Sequence, residues 1–239
     1  TSAQAVLQLV ADEVPAASKL LIIGADSFRD LAREMGFEVV SSADDKPAAV
    51  VQGFDRSVGW EQLTEGALAI RQGAKFFASN LDTSLPIERG FAVGNGSLVA
   101  AIQSATGVEP VSAGKPEPAM FTFAAKQIGA KKPLAVGDRL DTDIAGGNSA
   151  AMNTFHVLTG VSGELELIEA PVEARPNFIG AGMHELALPV SVARPGAQGG
   201  FTARWDGHDL LLEGGDEKST SVQALRLSLI HISEPTRQA

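Results

Sequence analysis

The chain has 239 residues, 44% of them hydrophobic, with a net charge of −10 and no cysteine. That length can bury one or two cores. The acidic balance argues against a nucleic-acid backbone as partner, the lack of cysteine excludes disulfides and thiolate zinc sites, and no apolar stretch reaches the length of a membrane span.

The first hundred residues alternate short apolar runs with helical patterns. Lys19 to Gly24 reads as a strand, Ser27 to Met35 as a helix closed by Gly36, and Ala48 to Gly53 as a second strand, together a βαβ unit. Trp60, Leu63, Ala67 and Ile70 mark one face of a helix that Gly73 ends. Lys75 to Ala78 gives a further strand. Asn80 to Pro86 follows as a loop in which Asn80 and Asp82 either bond ligand hydroxyls or stabilise their own turn. Gly94-Asn95-Gly96-Ser97 reads as a turn before a helix that opens at Leu98 to Ile102. LLIIGAD lacks the G-x-G-x-x-G spacing of a dinucleotide site.

Two later segments carry chemistry. Val111 to Pro118 (VSAGKPEP) precedes apolar positions of helical spacing at Met120, Phe121, Ala124, Ala125 and Ile128. Pro116 or Pro118 is expected in the first helical turn, where free N–H groups favour an anion and Lys115 adds a compact positive charge. Pro133 to Val136 is a short buried strand ending in Gly137, followed by Asp138, Asp141 and Asp143. Open α/β sheets place ligands at the carboxyl ends of their strands, and Mg²⁺ takes a few carboxylates with water and a substrate phosphate. One Asp capping a helix that begins near Ile144, with the others solvated, is the plainer alternative. Strand–Lys–helix and strand–Asp–helix together describe two neighbouring loops on one face of a sheet. His156 in a strand, His184 in a helix and His208 in a turn form no nucleophile–base pair.

GKPEP followed by VGDRLDTDIAGG resembles the third and fourth motifs of the haloacid dehalogenase (HAD) superfamily. The similar branch is that of small-molecule phosphatases acting on phosphoglycolate, 4-nitrophenyl phosphate, nucleotides (NagD-type) and pyridoxal phosphate. TSAQAV, VVQGFDRSVGWEQL, FFASNLDTSLPIERGFAVGNGS, NTFHVLTGVSG and ARPNFIGA extend the resemblance in the family's order. It implies an α/β fold, a Rossmann-like core with a large α/β cap, with residues 1–108 as cap and 109–189 as the remaining core. It implies an aspartate nucleophile, a second aspartate as general acid/base, and Mg²⁺ with a lysine to neutralise the phosphoryl group. Carried over by motif, Lys115 holds the phosphate, Asp138 ligates Mg²⁺, Asp143 supports it, and Asp141 is structural. Asn80 and Asp82 fall in the family's substrate-facing loop, and Leu85 stands near a position where some relatives place a polar contact.

The family's Asp-x-Asp-Gly motif and its Thr/Ser motif are absent from the chain, and Asp12, Asp26, Asp44 and Asp45 stand in unsuitable settings. The sequence is therefore expected to be a fragment without the first core strands and without turnover. A module that binds a phosphorylated ligand without hydrolysing it is the alternative. A receiver domain is disfavoured by the order of Lys before Asp.

Residues 190–226 pass from a linker-like stretch (Ala193 to Gly200) into a hairpin, Phe201 to Glu213, turning at Asp206-Gly207. They resemble the start of the acetyltransferase-like extension of bacterial glycerol 3-phosphate phosphatases, here cut short. Leu227 to Arg237 resembles the in-frame translation of a sequencing-library adapter, so the natural sequence is expected to stop near Arg226, residues 227–239 to be an adapter-derived tail, and His231 to have no function. The resulting expectation is a cytoplasmic bacterial Mg²⁺-dependent phosphatase of small phosphorylated metabolites, of the phosphoglycolate or glycerol 3-phosphate type, with a possible homodimer through the cap.

Overall fold

The computed structural model describes residues 1–232. The residues divide into two compact units, 1–126 and 127–239.

The first unit runs α1 (Ser2–Glu13), β1 (Lys19–Ile23), α2 (Asp26–Glu34), β2 (Glu38–Val40), β3 (Ala49–Gln52), α3 (Trp60–Arg71), β4 (Lys75–Ala78), β5 (Ser84–Ile87), β6 (Gly90–Val93), α4 (Asn95–Thr106), β7 (Val111–Ser112) and α5 (Ala119–Gln127). A five-stranded sheet has the order β2-β1-β3-β4-β7, with every pair parallel. Its central strands read as unbroken apolar runs because helices cover both faces. Leu20, Ile22 and Val51 pack with Val6, Val10 and Phe28 on one face. Leu21, Ile23 and Val50 pack with Ile70, Val99 and Ile102 on the other. Thr1 opens α1 with a capping box to Gln4. Gly66 lets α3 approach the sheet, since a Cβ there would press on the Ile23, Ile102 and Val50 side chains. Trp60, expected on the buried face of α3, is 78% exposed, because the helix turns Gly66, Ala69 and Ile70 inward instead.

Alternation places Gln52 on the same face as Val50, at the carboxyl end of β3, fully buried. Neither end of its carboxamide has a hydrogen-bond partner among the described residues. An unsatisfied buried polar group costs about 1–3 kcal/mol, so Gln52→Leu is expected to raise the urea midpoint. A fall would mean that the carboxamide is bonded in solution.

The second unit contains β8 (Leu134–Gly137), a five-residue π-type turn (Leu140–Ile144), α6 (Ala145–Ser149), β9 (Asn153–Val157), α7 (Glu164–Glu169), β10 (Phe178–Gly180), α8 (Val190–Ala193), β11 (Phe201–Trp205), β12 (Leu210–Gly214) and α9 (Ser221–Ile232). Strands β10-β9-β8 form a parallel sheet. Leu140, Ile144, Leu167, Ile179, Leu225 and Leu229 fill one core. The expected hairpin at 201–213 is present, its turn tied by the Asp206 carboxylate to the N–H groups of His208 (2.9 Å) and Asp209 (2.8 Å).

One expectation is corrected. Strand β7 belongs to the first sheet, where Phe77 and Ala78 pair with Val111 and Ser112, whereas β8 belongs to the second, so the lysine and aspartate loops do not leave one sheet. Residues 227–232 are part of the fold, since α9 buries Leu227, Ser228 and Leu229. The rest of the adapter-like segment, 233–239, lies outside the described residues.

Candidate functional site

In the first unit the carboxyl ends of β4 and β7 bring two expected site loops together. Ala113 N–H bonds Ala78 C=O at 3.0 Å, and a Cβ on Gly114 would lie 2.8 Å from Asn80 Cα. Only glycine allows this approach, which sets Lys115 beside the Asn80–Asp82 turn. Asn80 serves that turn: its Oδ1 accepts the Asp82 N–H at 3.3 Å, and its carbonyl accepts the buried Asn95 amide at 2.8 Å. Asp82 itself is exposed. Helix α5 starts at Ala119, and Pro118 supplies the carbonyl that accepts Thr122 N–H. Both prolines therefore precede the first helical turn rather than sitting in it.

In the second unit Asp138 follows the last residue of β8. Its Oδ2 accepts Val161 N–H at 2.9 Å, and its carbonyl accepts Ser162 N–H at 2.9 Å. Gly160 lies against the carboxylate so closely that a Cβ there would overlap it. Asp143 comes back across Gly137, where a Cβ would likewise collide with it, and its Oδ2 accepts Arg139 N–H at 3.2 Å. The π-type turn carries Asp143 back to the strand end. Asp141 turns away to Arg139, with contacts of 2.9 and 3.2 Å. That hydrogen bond holds the Asp141 carboxyl below its usual range.

The donor set suits a hard divalent cation, with carboxylate oxygens at a strand end and Asp138 pinned through one oxygen. Among the described residues no three His, Cys, Asp or Glu side chains form a metal cage. The two carboxylates therefore fit as part of a Mg²⁺ shell that water and a phosphate oxygen would share.

Sequence reasoning passed over the residues behind Asp138. His156 is fully buried in β9 with Nε2 3.0 Å from Ser162 C=O, and the Ser162 hydroxyl accepts Leu140 N–H at 3.2 Å. A histidine inside the apolar run Thr154–Val157 was the available signal. Burial lowers the His156 pKa from its ordinary 6.5. The unfolded chain then takes up the proton first, so this group's contribution is complete above pH 6.5 and is lost as pH falls toward the folded pKa. Urea titrations between pH 7.5 and 5.5 are expected to show unfolding free energy falling with pH by at most about 1.4 kcal/mol per unit. The slope should flatten in His156→Leu, and an equal slope in the variant would count against the assignment.

A family profile described as HAD-hydrolase-like matches residues 112–186. The chain is 43% identical over 186 residues to the D-glycerol 3-phosphate phosphatase of Mycobacterium tuberculosis, covering 78% of this chain and 53% of that protein. It thus spans about half of that relative's length. It is 37% identical to an acid sugar phosphatase of Staphylococcus saprophyticus, covering 74% of this chain and 68% of that protein. The crystal structure of the M. tuberculosis glycerol phosphate phosphatase in complex with magnesium matches with a TM-score of 0.87 at 37% identity, covering 95% of this chain and 69% of that one. With the aspartate loop, the lysine loop and these relatives in agreement, the chain belongs to the HAD-like hydrolase family, in the branch that holds these phosphatases.

Proposed function

We propose that the chain is the larger part of a Mg²⁺-dependent phosphatase acting on phosphate monoesters of small metabolites, of the glycerol 3-phosphate type. The observation that carries this reading is the Asp138 carboxylate, fixed at the end of β8 by Val161 N–H, with Asp143 folded back against the adjacent Gly137. The relatives named above support the substrate class.

In this reading Asp138 and Asp143 hold the cation, which when bound would neutralise charge on the transferring phosphoryl group. Lys115 supplies a second positive charge to the phosphate. The Asn80–Asp82 turn contacts the organic part of the ester, with Asp82 as its exposed polar group. Residues 1–239 hold no Asp-x-Asp-Gly sequence, so we infer that this chain by itself binds the ester without turning it over. The reading also takes the protein to be cytoplasmic. No helix among the described residues is long and apolar enough to cross a membrane.

Calorimetric titration of glycerol 3-phosphate in the presence of Mg²⁺ tests the assignment. Binding is expected to fall by about tenfold or more in both Lys115→Ala and Asp138→Asn, in line with the loss of a charge-assisted contact of about 1.5–3 kcal/mol. Unchanged affinity in both variants would remove the basis for the reading. Sustained phosphate release by the unmodified chain would refute the inference about turnover.

A further inference from the structure

His156 occupies a position in β9 that an aliphatic side chain would fill, between Phe155 and Val157 and opposite Gly137 in the parallel register. Its ring has no solvent exposure, and its Nδ1 has no partner among the described residues. Burial favours the neutral imidazole. A carbonyl oxygen can only accept, so the single ring proton belongs on Nε2, which faces the Ser162 carbonyl at 3.0 Å. The ring's one hydrogen bond of good geometry is directed at the turn that grips Asp138, and the backbone of the paired Gly137 also interacts favourably with the ring.

Three further hydrogen bonds join the turn to residues 138–140. Ser162 N–H donates to the Asp138 carbonyl at 2.9 Å, the Ser162 hydroxyl accepts Leu140 N–H at 3.2 Å, and Val161 N–H reaches Asp138 Oδ2 at 2.9 Å. These bonds all join the turn to the segment it must hold, residues 138–140. The His156 ring ties the turn to a strand in the interior of the sheet. Without that tie, residues 138–140 and 160–162 could shift together, and Val161 N–H would no longer fix the carboxylate relative to the end of β8.

We infer that His156 is a positioning residue for Asp138: its Nε2–H fixes the Ser162 carbonyl, and the 160–162 turn so fixed sets the direction of the Asp138 carboxylate. The inference rests on the reading of Asp138 as a cation ligand. Partners that orient a ligand from behind commonly change metal affinity by about 10–100-fold when removed, without touching the ion.

The test uses the 239-residue chain, Mn²⁺ as the probe, and paramagnetic broadening of the Arg139 and Val161 amide resonances as the readout. His156→Leu is expected to weaken the apparent Mn²⁺ affinity by about tenfold or more. His156→Gln, whose amide can still donate near the Nε2 position, is expected to restore most of it. Loss in Leu with recovery in Gln supports positioning through the hydrogen bond, since a purely space-filling role would not favour Gln over Leu. Wild-type affinity in a folded His156→Leu chain overturns it, as does equal loss in both variants. Long-range ¹H–¹⁵N spectra of the wild-type ring give a second decision that does not depend on any variant folding: a proton on Nε2 is expected, and an Nδ1–H tautomer overturns the proposal. If Mn²⁺ leaves the wild-type Arg139 and Val161 resonances unchanged while the Nε2 tautomer is present, the metal-site reading itself has failed, and the positioning role falls with it.

Discussion

Arg226→Ala is expected to cost the second unit about 3–5 kcal/mol of unfolding free energy, the loss that follows when one member of a buried ion pair is deleted. Arg226 is 2% exposed although it carries a full charge. Its Nε and Nη2 donate to Ile179 C=O at 3.0 and 2.6 Å, Nη1 donates to Gln198 at 3.3 Å, and Nη2 also pairs with Glu185. Truncation leaves the Glu185 carboxylate, with a side chain only 12% exposed, and the Ile179 carbonyl without their donor. Replacing the pair together, Arg226→Met with Glu185→Leu, removes both charges and is expected to recover much of the loss. Urea unfolding followed by circular dichroism measures both. A single-variant loss below about 1 kcal/mol would place the pair with ordinary solvated surface bridges.

That same helix shows why part of the fold could not be read from the sequence. The adapter-like character of residues 227–239 is a statement about origin, whereas burial answers only to side-chain pattern. Leu225 and Leu229 stand one helical turn apart and enter the core with Ile144 and Leu167, whatever their source. The central strands were legible because Leu20–Ile23 and Ala49–Val51 are apolar on both faces. Hairpin β5–β6 was not, since its residues are mostly exposed and Pro86 sits within it. In β7 only two residues pair, too few for periodicity to assign them to a sheet. At the candidate site, Lys115, Asp138 and Asp143 were legible as residue types at family spacing. The turn that grips Asp138 was not, because its contacts are backbone N–H groups and glycines from 23 residues downstream, which no local pattern encodes.

The glycine in that turn makes the second large effect an expected loss of cation binding from adding a single methyl group. Gly160 has no space for a Cβ: one placed there would overlap the Asp138 Cβ, Cγ and Oδ2 atoms. Neither side can yield easily. Val161 N–H and Ser162 N–H tie the turn to Asp138 from one direction, and the pairing of Gly137 with His156 holds the strand end from the other. Gly160→Ala must therefore rotate the carboxylate away or open the turn, and either movement breaks the Val161 contact that sets its direction. Mn²⁺ affinity at the Arg139 and Val161 amides is expected to fall by more than about tenfold, with a stability loss of about 1–3 kcal/mol for the overpacked contact. Gly163→Ala is the control within the same turn. Its added Cβ would meet only the end of the Glu166 side chain, at 3.2 Å, a flexible group that can move aside, so affinity should stay close to that of the unmodified chain. Equal affinity in the Gly160 variant would mean that the Asp138 carboxylate does not need its present orientation, and both the cation-ligand reading and the role of the turn would have to be abandoned. Loss in Gly160→Ala alone would locate the requirement at the close approach of the Gly160 backbone to the carboxylate.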